Sequence, residues 1–156
     1  MPRASLPMSK AFTKEEDEQP ERVTRMRSLS GLPPGAVNYM TADGARWLEA
    51  ELALLPEMGC DRAAELSRIL QSATIVEPPA DPPEGAVFGA KVELRDAEGI
   101  SRSYRITGVD EISCDDSWVS WISPIGKSLL GSVPGQRVAI DVDGQNTTFT
   151  VVRIDY

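Results

Sequence analysis

Histidine is absent from this 156-residue chain, and cysteine occurs only twice. Without an imidazole, the chain has no base for Ser-His-Asp or Cys-His catalysis and no histidine ligand for a metal site. The two cysteines, Cys60 and Cys114, fit neither a disulfide framework nor a Cys-x-x-Cys motif, so we expect two reduced thiols. The protein is therefore not expected to be an enzyme, and the sequence predicts no catalytic residues, no cofactor and no metal site.

Basic residues and long apolar runs are also scarce. The chain has 16 Lys and Arg residues against 24 Asp and Glu, and its net charge of −8 repels nucleic acids and anionic lipids. No segment approaches the roughly 20 apolar residues that a membrane span needs. We therefore expect a protein partner, no sequence-specific nucleic-acid contact, no membrane association and a cytoplasmic location.

The first part of the chain, residues 1–37, contains few large apolar groups and a mainly acidic run at residues 14–18. Such a stretch buries too little apolar area to offset the entropy lost on ordering. We expect a disordered acidic arm whose charges are simply solvated. The alternative is an arm that docks electrostatically on a basic protein surface.

Residues 38–76 change to a helical period. Thr41 and Asp61 are suitable N-caps, and residues 56–59 carry a Pro-Glu-Met-Gly turn signature between them. The pattern predicts a short antiparallel helical hairpin with arms of about 20 Å. Two apolar seams would face each other: Ala45, Leu48, Leu52 and Leu55 in the first helix, and Ala63, Leu66, Leu70 and Ala73 in the second.

Residues 77–85 hold four prolines and predict an extended linker. After it, residues 86–156 alternate apolar and polar side chains with a period of two, which predicts five strands. A short helix is expected between the third and fourth strands, with Ser123 as N-cap and Gly131 just past its end. Leu129 and Leu130 would bury it against the sheet. The fold class is therefore α+β, an antiparallel sheet with one short helix.

Two acidic pairs lie between the predicted strands, Asp110 with Glu111 and Asp115 with Asp116. Paired carboxylates bind hard cations or take part in acid/base chemistry. No third acid stands at a recognisable metal-loop spacing, so we interpret both pairs as parts of a solvated loop.

Four stretches of residues 86–156 stand out, in order along the chain: VFGAKV at 87–92, YRITGVDE at 104–111, ISPIGKSLLG at 122–131 and IDY at 154–156. Together they resemble the C-terminal domain of bacterial Gre-type (GreA/GreB family) transcription elongation factors. Upstream, YMTADGARWLEAEL at 39–52 resembles the start of the same family's coiled coil, and SATIV at 72–76 resembles its end. The short hairpin is also similar to that of the regulator of nucleoside diphosphate kinase family.

The resemblance implies a coiled coil that enters the secondary channel of RNA polymerase and an FK506-binding-protein-like domain that docks at the channel rim. Family members that stimulate transcript cleavage carry acids in a Gly-Asp…Glu-Asn-Ala-Glu-Tyr stretch at the coil tip, which hold a metal ion. That stretch is missing here, because only about 20 residues separate Leu52 from Ser72. The resemblance thus implies a monomeric, polymerase-binding elongation regulator without cleavage stimulation.

Five residues are the expected polymerase contacts, because they belong to the family match but are not demanded by the fold: Asp110, Glu111, Ser123, Pro124 and Ile125. Two other functions stay open. An FK506-binding-like fold suggests a peptidyl-prolyl isomerase, which needs an aromatic-lined proline pocket, and a small adaptor for another protein is the third hypothesis.

Overall fold

The computed structural model describes residues 32–56 and 61–156, and residues 35–156 form one compact unit. The predicted acidic arm up to residue 31, the turn after Pro56 and Cys60 lie outside the described residues. Within the described part, no helix is both long enough and apolar enough to cross a membrane.

Two helices form the predicted hairpin, α1 at Ala42–Leu54 and α2 at Asp61–Ser72. Thr41 caps α1 as predicted, because its hydroxyl oxygen accepts a hydrogen bond of 3.0 Å from the backbone N–H of Gly44. Asp61 differs slightly from the prediction, since it is the first residue of α2 and not the residue before it.

The two predicted seams pack against each other. Ala45, Leu48 and Leu66 are buried, while the other seam residues in this cluster, Leu52, Leu55, Leu70 and Ala73, pack around them in part. The eighth predicted seam residue, Ala63, is not in the cluster, whereas Ile69 of α2 is. Met40, which precedes α1, is fully buried in the same cluster. Apolar burial on one stripe of each helix therefore holds the hairpin together.

A two-stranded parallel sheet joins the two ends of the hairpin, and the sequence did not predict it. Strand β1, Asn38–Thr41, pairs with β2, Ala73–Val76. Neither segment, Asn-Tyr-Met-Thr or Ala-Thr-Ile-Val, alternates apolar and polar side chains along its length. The pairing arises because the packed helices bring these distant segments together.

The five predicted strands form one sheet in the order β5-β4-β3-β7-β6. Their bounds are β3 Lys91–Arg95, β4 Ser101–Thr107, β5 Trp118–Ser120, β6 Arg137–Val142 and β7 Gln145–Asp155. The α+β class is confirmed, but a wholly antiparallel sheet is wrong, because β5 runs parallel to β4. Residues 108–117, which include a 3₁₀ turn at Ile112–Cys114, carry the chain back so that β5 starts beside Arg105 and runs in the same direction as the last part of β4.

Helix α3, Pro124–Leu129, covers the apolar face of the sheet as predicted. Ser123 is its N-cap, and Gly131 follows it with a φ of +79°, a conformation that glycine adopts without strain. Leu129 is fully buried and Leu130 packs against the core. The centre of this core also contains Val92, Leu94, Ile106, Ile140, Phe149 and Val151.

The hairpin core makes a direct prediction. Leu66→Ala should lower the free energy of unfolding by about 2–4 kcal/mol, because it removes a fully buried side chain and leaves a cavity. Leu54→Ala is the matched control, since Leu54 is 87% exposed on the same hairpin, and should change stability little. Urea unfolding followed by circular dichroism measures both, and equal losses would contradict this packing.

Candidate functional site

The N-terminus of α3 is fixed by Ser123. Its hydroxyl donates a hydrogen bond of 2.6 Å to the carbonyl oxygen of Ser120 and accepts one of 3.0 Å from the N–H of Gly126. Gly126 has no room for a side chain, because a Cβ there would overlap the Ser120 carbonyl. The Ser123 hydroxyl is thus occupied by these two hydrogen bonds. The ring of Pro124, the next residue, is exposed to solvent.

Ile125 is half-buried and packs against the sheet core, so it anchors α3 while keeping part of its side chain at the surface. Trp121, just before the cap, packs on the same core. Its ring also meets that of Tyr39 from β1 edge-on, with ring centroids 5.8 Å apart. Helix α3 is therefore tied to the base of the hairpin as well as to the sheet.

Asp110 lies at the same end of the sheet as α3. It follows β4 and Ser123 follows β5, and these two strands are parallel, so both loops leave the sheet at one end. The Asp110 carboxylate accepts a hydrogen bond of 2.9 Å from the side-chain amide of Asn38 in β1. Asp110 is half-buried, so part of its surface is available to a partner.

Glu111 does not lie on this surface, which corrects its predicted role. Its side chain is fully buried, so it cannot contact a partner directly. One carboxylate oxygen accepts the N–H of Thr41 at 2.9 Å, and the other accepts the N–H of Gly108 at 3.0 Å. Burial raises the pKa of Glu111 above its ordinary value, although these two backbone hydrogen bonds act in the opposite direction.

Two glycines make room for this contact. A Cβ on Gly44 would overlap the Glu111 carboxylate, and a Cβ on Gly108 would overlap the backbone carbonyl of Tyr39. We call the set of Thr41, Gly44, Gly108 and Glu111 the Glu111 junction. It joins the start of α1 to the loop after β4, and therefore the hairpin to the globular domain.

Arg105 provides a second link between the same two parts. Its guanidinium forms an ion pair of 2.8 Å with Asp43 in the first turn of α1 and lies 5.1 Å above the ring centroid of Trp118. Its Nε also donates to the Gly89 carbonyl at 3.3 Å. Because Arg105 is mostly shielded from solvent while Asp43 is half exposed, we expect this ion pair to add less than the Glu111 junction.

The other acidic pair, Asp115 and Asp116, does not join the hairpin to the globular domain. Asp115 is exposed, and its pKa is lowered because its carboxylate accepts hydrogen bonds from the hydroxyl and the N–H of Ser117. It closes a local turn. Among the described residues, no three acidic, Cys or His side chains are grouped where they would hold a metal ion.

The C-terminal part of the chain matches a known protein family. The family model for "Transcription elongation factor, GreA/GreB, C-term" matches residues 82–156. The Transcription elongation factor GreA of Acidiphilium cryptum is 32% identical over 96 residues, which cover 61% of this chain and 61% of that protein. The Transcription elongation factor GreB of Haemophilus influenzae is 38% identical over 74 residues, which cover 47% of each chain.

Among solved structures, a prokaryotic transcription elongation factor GreA/GreB from Nitrosomonas europaea aligns with a TM-score of 0.45 and 20% identity. The alignment covers 78% of this chain and 99% of that one. The sequence match to the Acidiphilium cryptum relative spans about three fifths of that protein, 61% of its length.

The Glu111 junction predicts a strong coupling between two substitutions. Gly44→Ala alone should lower the free energy of unfolding by about 1–3 kcal/mol, because the new methyl group overlaps a buried carboxylate. In a Glu111→Ala background the same substitution should cost clearly less, because the overlap with the carboxylate is gone and only a contact of 2.9 Å with the Cβ of residue 111 remains, while alanine favours a helix. Urea unfolding of the four proteins in this double-mutant cycle measures the coupling. Additive effects would contradict the contact.

Proposed function

We propose, from the match of residues 82–156 to the GreA/GreB C-terminal domain family, that the chain binds RNA polymerase and regulates transcription elongation. The docking face is the end of the sheet where Asp110 and the capped start of α3 lie together. We assign contacts to Asp110, Pro124 and Ile125, and positioning roles to Ser123 and Glu111. Docking at the rim of the secondary channel follows from the family resemblance.

One observation carries this assignment. Pro124 is an exposed ring at the first turn of a helix whose start is fixed by the Ser123 cap and by the close approach of Gly126 to Ser120. A rigid, exposed apolar group loses little entropy on binding. Such a group at the same end of the sheet as the half-buried Asp110 carboxylate gives a partner one apolar and one charged contact.

We further propose that the chain does not stimulate transcript cleavage. Helix α1 has 13 residues, so at about 1.5 Å per residue it extends only about 20 Å from its base. A coil of about 30 residues per arm would extend more than twice as far. No metal-holding group of acids is found in the described residues. The protein then acts by occupying the docking site and excluding full-length factors.

The isomerase alternative finds no support in the aromatic residues. Phe149 is fully buried, and Tyr104, Trp121 and Tyr156 pack against the sheet core. Tyr156 also donates its hydroxyl to the carbonyl of Gly85 at 3.0 Å. These rings are committed to packing and do not line a proline pocket.

The docking face predicts specific losses of affinity. Pro124→Asn and Asp110→Lys should each weaken binding to RNA polymerase at least tenfold, since one removes the apolar contact and the other reverses the charge. Pro134→Asn and Asp141→Lys make the same chemical changes at exposed positions in and before β6 and should change the affinity less than twofold.

Biolayer interferometry with immobilised core polymerase gives the affinities, and thermal unfolding confirms that all four variants are folded. If the two β6-side variants lose as much affinity as the α3-side variants, the face is assigned wrongly.

The short hairpin predicts a second outcome. Saturating amounts of this protein should leave the RNA in stalled, backtracked elongation complexes at its original length, because no acidic group reaches the catalytic centre. Gel analysis of end-labelled RNA measures this, with a full-length cleavage factor as the positive control. Shortening of the RNA that depends on this protein would refute the reach argument.

A further inference from the structure

Strand β6, Arg137–Val142, forms one edge of the five-stranded sheet, and it contains none of the proposed polymerase contacts. The opposite edge is β5, which leads to Ser123 and α3. An edge strand offers its unpaired N–H and C=O groups to any extended chain that can lie beside it. Which chain fits β6 depends on the backbone groups that are open and on the side chains that accompany them.

The hydrogen-bond pattern of β6 leaves its odd-numbered residues open. Gln136 accepts a hydrogen bond of 2.8 Å from the N–H of Val151 in β7, and in an antiparallel pair every second residue bonds to the same neighbour. The even-numbered residues of β6 are therefore bonded to β7. The N–H and C=O groups of Arg137, Ala139 and Asp141 point away from the sheet, and they form no hydrogen bond with any described residue.

The side chains of these three residues lie on the outer face of the sheet and are exposed, while Val138 and Ile140 are buried on the other face. Arg137 and Asp141 have no ion pair with any part of the chain that the structure describes. Four residues of an extended strand span about 13 Å, so the two charges lie well apart within one chain. The open edge thus carries a cation, a small residue and an anion, in that order.

This order of side chains is complementary to itself. When two β6 strands lie antiparallel about a two-fold axis at Ala139, Arg137 of each copy faces Asp141 of the other. All three facing pairs join residues whose backbone groups are open, so the same register also forms the backbone hydrogen bonds. A register shifted by two residues places one of the charged residues opposite Ala139 and loses the pairs between Arg137 and Asp141.

We propose that two copies of this chain form a dimer by joining their sheets along β6. The family resemblance implies a monomer, and this inference departs from it. Charged residues on an edge strand ordinarily oppose pairing, because they meet a like charge or none. At this edge the two-fold axis turns the same charges into two opposite-charge pairs, which stabilise neighbouring strands. A contact of six residues is smaller than the interfaces of about 1,200–2,000 Å² in stable complexes, so the dimer is in equilibrium with the monomer.

Analytical ultracentrifugation of the full chain over a wide range of concentrations measures the association. We expect the weight-average mass to rise from 17.0 kDa toward twice that value. Arg137→Asp and Asp141→Arg should each weaken the association by about tenfold or more, because each places like charges opposite one another at both sides of the axis. Arg95→Asp makes the same change at an exposed residue of the inner strand β3, and should alter the association less than about twofold.

A mixture of the two edge variants tests the register itself. Arg137→Asp leaves two acidic residues on the edge and Asp141→Arg leaves two basic ones, so an equimolar mixture should associate about as strongly as the unmodified protein. Thermal unfolding of each variant checks that these exposed substitutions leave the fold intact.

Three results would overturn the proposal. The mixture of the edge variants fails to associate, Arg95→Asp weakens the association as much as Arg137→Asp does, or the unmodified protein keeps a mass of 17.0 kDa at every concentration. The last result would leave the β6 edge to an extended segment of a different protein.

Discussion

The buried carboxylate of Glu111 is the contact on which the geometry of this protein depends. It accepts one backbone N–H from the start of the hairpin, at Thr41, and one from the loop after β4, at Gly108. Both hydrogen bonds are buried, and a buried N–H without an acceptor is costly. Because Gly44 and Gly108 bring the two segments into close contact, the carboxylate fixes the position of the hairpin relative to the end of the sheet.

The buried Glu111 carboxylate fixes the geometry of the junction at a cost in stability. Burial raises the pKa of Glu111, which means that the ionised side chain is disfavoured in the folded protein relative to water. The stability contributed by Glu111 is therefore fully present below its ordinary pKa and decreases as the pH rises through the higher pKa of the folded state. The junction in turn has a defined geometry. Asp110, the residue before Glu111, accepts a hydrogen bond from Asn38, and Trp121, just before α3, packs against Tyr39.

The sequence predicted the elements whose signals are local. The hairpin was predicted from the apolar seams around Leu48 and Leu66, and both ends of α3 were predicted from Ser123, Pro124 and Gly131. Helix caps and helical periods can be recognised within a few neighbouring residues. The parallel pairing of β5 and the β1–β2 sheet depend on segments far apart in the chain, which no local pattern contains.

Glu111 was the informative error, because a Glu beside an Asp in a loop is normally solvated. The available signal was Gly44: a glycine in the first turns of a helix is unfavourable unless another group approaches closely there. A close approach implies a buried partner, but the sequence alone does not say which. The division into hairpin, linker at residues 77–85 and globular domain stays a prediction about how the parts behave separately.

Docking through the α3 end of the sheet is tested most directly by site-specific crosslinking to core RNA polymerase. A photoreactive amino acid replaces Lys127, exposed on α3, in one protein and Ala139, exposed on β6, in another. Docking by α3 predicts efficient crosslinking to a polymerase subunit from position 127 and little from position 139. Efficient crosslinking from position 139, with none from position 127, would contradict it.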